Sequence, residues 1–288
     1  TMFRTTVIAA TLAIAFTQAQ AGQPLQLKVY NADGNSFNVN STLVYGEKEA
    51  VVIDAGFTRA DALRIAANVL DSGKQLTTIY VSQADPDYYF GAEVLKEIFP
   101  HANVVTTPAV LEKLSAKLAG KVAFWSPKMG ANAPKTPVLP TALTSNTLTV
   151  DGEKIEIRGT TGVLAHRPYA WIPSIQAIVG NIAVFGNLHV WTADTQTVAE
   201  RGAWVAQLDE MAALNPVVVV PGHMNAGTKV DASAIAYTKT YLQAFEKAAA
   251  ATKTSTELIA SLQKAYPDAG MAMALDIGAK VNKGDMKW

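Results

Sequence analysis

Val81-Ser82-Gln83-Ala84-Asp85-Pro86-Asp87-Tyr88-Tyr89-Phe90-Gly91 is a polar, acidic loop set between two apolar runs. Upstream, Thr77 to Val81 is β-branched and reads as a strand; downstream, Gly91 to Phe99 reads as an amphipathic helix. A strand that delivers two carboxylates, an amide and a phenol to the start of a helix places them at the end of a sheet, where α/β folds collect their reactive groups.

Working outward, Leu25 to Tyr30, Ser36 to Tyr45 and Ala50 to Asp54 are short strand-like runs separated by the turn-forming segments 31–35 and 46–48. Thr58 followed by Asp61 is a capping box that opens a helix, and Leu63, Ala66, Ala67 and Leu70 are its expected buried face. Asn103 to Thr107 reads as a strand and Pro108 to Leu118 as a helix. The stretch 119–144, rich in Pro, Gly, Ala and Lys, reads as an irregular connection that either borders a site or crosses the surface. A hairpin is expected at 147–158 around Asp151-Gly152, with strands at 169–172, 175–179 and 217–220. Helices are expected at 198–214, 235–251, 256–264 and 271–280, with Met271 and Met273 as core residues. Strands, helices, strands and helices in that order fit an α/β architecture, a four-layer αββα sandwich.

The 288 residues include 24 acids and 24 Lys+Arg, with no basic run, which argues against nucleic acid as a partner. Arg4, the apolar run Val7 to Phe16 and Ala19-Gln20-Ala21 have the three parts of a secretory signal peptide, so 1–21 is expected to be a leader and 22–288 one domain. That run is too short to span a bilayer, and no membrane span is expected in the mature chain. Export is the expected fate, to the periplasm in a Gram-negative source and otherwise to the medium. With no cysteine, any metal must be held by His, carboxylate or neutral oxygen.

The order of these segments resembles the metallo-β-lactamase fold superfamily, and its exported, hydrolase-like branch in particular. The resemblance rests on Asn40 to Val44 followed by Ala50 to Phe57, on the strand, loop and helix at 77–99, on Ile172-Pro173-Ser174-Ile175, on Gly180-Asn181 and on Pro221-Gly222-His223. In that family the key junction reads Thr-His-x-His-x-Asp-His; here Gln83, Asp85 and Tyr88 stand where the histidines belong, and Asp87 alone matches. The family's third histidine position falls on Thr161 by spacing, with His166 as the alternative. Asn181 replaces the bridging aspartate, and His223 is retained.

One imidazole and an uncharged Asn181 do not suit a dinuclear zinc centre. The resemblance instead implies one divalent cation (Mg²⁺, Mn²⁺, Ca²⁺ or Zn²⁺) held by Gln83, Asp85, Asp87, Asn181 and His223, or none. In the metal-free alternative Asp87 orients His223, His223 deprotonates water, and the Tyr88 hydroxyl donates to an oxyanion. His166, His189 and Trp191 are expected to line the substrate pocket. Asp54 is expected to support the loop and not to touch substrate. The expected function is an exported hydrolase of a small ester, lactone or amide. The alternative is a catalytically inactive protein that binds a small molecule in the same pocket.

Overall fold

The computed structural model describes residues 23–288. The leader expected at 1–21 lies outside the described residues. Strands β1 (Gln26–Asn31), β2 (Asn40–Tyr45) and β3 (Glu49–Ile53) form an antiparallel meander. Strands β4 (Gln75–Tyr80), β5 (Asn103–Thr106) and β6 (Thr141–Ala142) extend it in parallel, giving a six-stranded mixed sheet. The second sheet runs β12-β10-β9-β8-β7 and uses β7 (Thr147–Val150), β8 (Glu153–Arg158), β9 (Tyr169–Ile172), β10 (Ala177–Val179) and β12 (Val218–Val219). A short parallel pair, β11 (Phe185–Gly186) and β13 (His223–Met224), closes the site end.

The layers follow from period-two patterning. In β3, Val51 and Ile53 face Ile155, Ile157, Ala170 and Ile172 of the second sheet, forming a dry inter-sheet core with Val44 and Tyr80. Val52 between them faces the opposite way, together with Leu43 and Ile79, toward the first helical layer. That layer holds α1 (Arg59–Ser72), α3 (Ala92–Ile98) and α4 (Pro108–Met129), with α2 (Pro86–Tyr89) as the single turn after the acidic loop. The second sheet turns Tyr169, Trp171 and Ile178 toward α5 (Val198–Ala213), α6 (Ser233–Ala251), α7 (Ser255–Ala265) and α8 (Ala272–Lys283). The result is the expected αββα sandwich.

The capping box at Thr58 and Asp61 forms as expected. Asp61 does more than cap: it is buried and accepts from Tyr30 Oη, Ser36 Oγ, and Thr58 N and Oγ1, which ties β1 and the 33–38 turn to α1. Burial opposes its charge, but the bonds from Ser36, Tyr30 and Thr58 outweigh burial and hold its carboxyl below the ordinary range. Asp61→Ala should cost about 2–4 kcal/mol at neutral pH, read from the urea midpoint. Because the folded-state pKa is depressed, Asp61 stabilises fully above the unfolded value and loses that contribution as pH falls through the folded value. The gap between parent and variant should therefore narrow in acid.

Two expectations require correction. The buried face of α1 is Ala62, Ile65, Ala66 and Val69, while Leu63 and Leu70 are 46% and 63% exposed. The β-branched Ile65 and Val69 pack against the sheet, and the two leucines fall a residue away on the outer face. Helix α4 also continues well past Leu118, to Met129. It tolerates Gly120 in its middle, and Pro127 is accommodated in its last turn, where the lost backbone bond matters least.

Candidate active site

The site forms where β4 ends and where β11 and β13 begin. Beyond Tyr80 the chain is fixed by Asp54, which adopts a left-handed backbone (φ 67°) and accepts from Ser82 N at 2.7 Å and Ser82 Oγ at 2.8 Å. Asp54 thus supports the loop, and burial, against those two bonds, pushes its carboxyl up to about 8. From this anchored start, Asp85 leads into Pro86 at the first position of α2, and Asp87 sits in that turn.

His223 is held on every side. Asn40 N donates to the Gly222 carbonyl at 2.9 Å, Asn40 Nδ2 to the Pro221 carbonyl at 2.8 Å, and Gly222 N to the Val184 carbonyl at 2.9 Å. The imidazole stacks on Phe185, centroids 5.2 Å apart at 15°, and meets the edge of Tyr88 at 5.6 Å. Its Nδ1 lies 2.8 Å from the Phe37 carbonyl. A carbonyl only accepts, so Nδ1 carries the proton and the neutral ring keeps its lone pair on Nε2. Nε2 stands 3.6 Å from Asp87 Oδ2.

Burial drives the charges in the site. It lowers the His223 pKa to about 4, against the Phe37 carbonyl and Asp85. It raises the Asp87 carboxyl to about 7, opposed by its own backbone N–H and by Lys121. Asp85 is raised likewise, by burial first and then by Asp194 and Asp87.

Asp85, Asp87 and His223 open on a cavity of about 230 Å³ whose other walls are mainly aromatic and apolar, with Phe57, Trp125 and Trp191 prominent. Trp125 packs edge to face with Phe37 and Phe57, centroids 5.6 Å and 5.2 Å away, and the two phenylalanine rings are tilted against each other at 5.3 Å. Trp191 lines the cavity, and His166 lines a polar recess beside it. His189 lines neither: it is buried, with Nδ1 bonded to Tyr241 Oη at 2.9 Å, because its loop turns the ring toward α6. Thr161 is exposed and faces neither space. Of the two methionines expected in the core, Met271 packs against the core of the second helical layer while also lining the cavity, whereas Met273 is 42% exposed and only lines the cavity.

Tyr88 is also redirected. It is fully buried, donates to the Asn181 backbone carbonyl at 3.1 Å, and lines neither of these two spaces, so its hydroxyl is not placed to meet an oxyanion there. Among the residues that sequence reasoning missed are Phe37, whose backbone carbonyl sets the His223 tautomer, and Lys121 and Trp125 on the extended part of α4. The aromatic pair Phe124-Trp125 inside 119–144 was the available signal.

Residues 34–172 match the family model of the metallo-β-lactamase superfamily. The chain has the metallo-β-lactamase fold. A metallo-β-lactamase family protein from Thermus thermophilus is similar over 91% of this chain and 93% of its own, at TM-score 0.64 and 18% identity. A metallo-β-lactamase from Pontibacter korlensis aligns over 78% of this chain and 97% of its own, at TM-score 0.52 and 16% identity. The metallo-β-lactamase DIM-1 aligns over 78% and 99%, at TM-score 0.53 and 16% identity. At these identities the likeness concerns the fold. A search of curated protein sequences gives no match. No helix among the described residues is long and apolar enough to cross a membrane.

Divalent metals are common in this superfamily, and a metal needs several donors converging on one point. The five expected ligands do not assemble here. Asn181 donates through Nδ2 to the Val220 carbonyl at 3.0 Å and accepts on Oδ1 from Val184 N at 2.9 Å, so it clamps the two strand ends. Gln83 Nε2 is bonded to the Pro168 carbonyl at 2.9 Å. Among the described residues no three His, Asp or Glu side chains come together as a metal would require. The donor set does not fit a resident metal.

Proposed function

We propose that the chain is an exported hydrolase-like protein that acts on a small ester, lactone or amide through Asp87 and His223, without a resident metal. The observation that carries this reading is the fixed His223 tautomer. Its Nδ1–H is committed to the Phe37 carbonyl, which leaves an unprotonated Nε2 with a free lone pair beside Asp87 at the wall of an aromatic cavity. Nε2 takes a proton from water as the water oxygen forms its bond to the substrate carbonyl carbon. Asp87, when ionised, stabilises the imidazolium. Lys121 is the lysine on the cavity wall and supplies positive charge toward the developing oxyanion. Collapse of the adduct breaks the bond to the leaving oxygen or nitrogen, which recovers the proton from Nε2. The aromatic walls suit a small apolar body. Export is supported by the three-part leader pattern in 1–21.

A second reading, ligand binding without turnover, is favoured by Tyr88, whose hydroxyl is spent on the Asn181 carbonyl and is lost as an oxyanion donor. A panel of small aryl esters, lactones and anilides offered to the purified protein separates the two. Turnover of at least one class is expected. Saturable binding of panel members with every one recovered intact would favour the second reading and overturn the first.

A further inference from the structure

Two buried arginines, each 4% exposed, differ sharply in how their charge is met. Arg201 is paired with Glu246 and also donates to the Thr195 carbonyl at 2.8 Å and Asn282 Oδ1 at 2.7 Å. Arg167 has only a long contact from Nη2 to the Ile182 carbonyl, 3.4 Å, while Nε and Nη1 have no partner. Its guanidinium lies over the Trp204 ring with Cζ 4.1 Å from the centroid, and among the described residues it forms no salt bridge within 4.0 Å. Leaving buried guanidinium donors without an acceptor is costly, and native proteins rarely do so without a reason.

Arg167 lines a polar recess of about 200 Å³ next to the aromatic cavity. Lys113 and Lys117, one turn apart on α4, stand on its wall, and neither forms a salt bridge among the described residues. His166 is on the wall as well, and burial followed by Arg167 and Lys113 keeps it uncharged near neutral pH. The two acids of the recess, Asp85 and Asp194, also line the aromatic cavity, so they stand at the border between the two spaces. Asp194 is already engaged by the indole N–H groups of Trp191 at 2.6 Å and Trp288 at 3.0 Å. Three permanent cations, Arg167, Lys113 and Lys117, therefore lie on the recess side of that border, whereas the mainly apolar cavity on the other side carries Lys121 alone.

We propose that the recess is an oxyanion subsite, in which Arg167, Lys113 and Lys117 receive a carboxylate or phosphate whose apolar portion occupies the aromatic cavity. Arginine supplies directional donors for such a group and the lysines supply charge at the rim. This inference rests on reading the aromatic cavity as the substrate site, and it makes that substrate an amphiphilic anion.

The test is equilibrium binding by calorimetry to the full protein, with 4-phenylbutyrate, its neutral amide, and 3-phenylpropyl phosphate as probes. At least one anionic probe should bind about tenfold or more tighter than the amide. That preference should fall to about threefold or less in the exposed double variant Lys113→Gln/Lys117→Gln and in Arg167→Met. Tighter binding of the phosphate names phosphate as the head group, and tighter binding of the carboxylate names carboxylate. Equal affinities of acid, phosphate and amide, a preference unchanged in the double variant, or no anion binding at about 10 mM would overturn the proposal. The double variant keeps the inference falsifiable should Arg167→Met fail to fold. Binding is read without turnover, so hydrolysis without anion preference sinks only this inference. Anion preference without hydrolysis sinks only the catalytic reading.

Discussion

Gly222→Ala is expected to lose about 3 kcal/mol or more of stability and to take the site with it. A Cβ at this position would stand 2.1 Å from the Asn181 carbonyl oxygen, 2.6 Å from Tyr88 Oη and 3.0 Å from the Asn181 carbonyl carbon. The closest of these is rigid backbone. Asn181 cannot retreat without breaking its side-chain bonds to Val220 and Val184, and Tyr88 cannot move without losing its own bond to that carbonyl. In a chain of this size such a loss lowers the melting temperature by about 6–12 °C. Gly202→Ala is the matching control. It lies within α5 with no atom within 4 Å of the added Cβ, so it should be neutral or gain about 0.5–1 kcal/mol. A melting point for Gly222→Ala within about 2 °C of the parent would contradict the packing described for the Pro221-Gly222-His223 turn.

The second large effect is on turnover. His223→Gln removes the basic nitrogen while keeping an amide that can donate to the Phe37 carbonyl, so the turn should hold and the rate should fall by about 10²–10⁴. Asp87→Asn keeps the shape and removes the charge that would stabilise the imidazolium, for a loss of about 10-fold or more. The two residues act on one proton transfer, so the double variant should be little worse than His223→Gln alone. Losses that add in full, or that track a fall in melting temperature, would assign both side chains a structural role.

The sequence is most readable where one short-range pattern decides the outcome. The β-branched run into β4, the capping box at Thr58 and the Asp151-Gly152 hairpin are such cases, and each forms where expected. Helix α4 escapes because Gly120 and Pro127 look like breakers, although burial of Leu114 and the packing of Val122, Trp125 and Met129 on the first helical core carry the helix past them. The site is less readable because main-chain atoms define so much of it. The Phe37 carbonyl orders His223, the Asn181 carbonyl consumes the Tyr88 hydroxyl, and the Pro168 carbonyl takes the Gln83 amide. A list of side chains shows none of these. It places Asp87 and His223 near one another but overstates Tyr88 and His189, and it passes over Arg167, whose significance lies in the partners it lacks.

The central claim is that Asp87 and His223 act without a resident metal. The most direct measurement is hydrolysis by full-length protein stripped with chelator, beside His223→Gln treated identically, each assayed before and after addition of Zn²⁺, Mn²⁺ or Mg²⁺. The account predicts that the stripped parent keeps its rate, that added metal changes it by less than about twofold, and that His223→Gln stays near background throughout. A stripped parent that falls to background and recovers with one of these ions would contradict it.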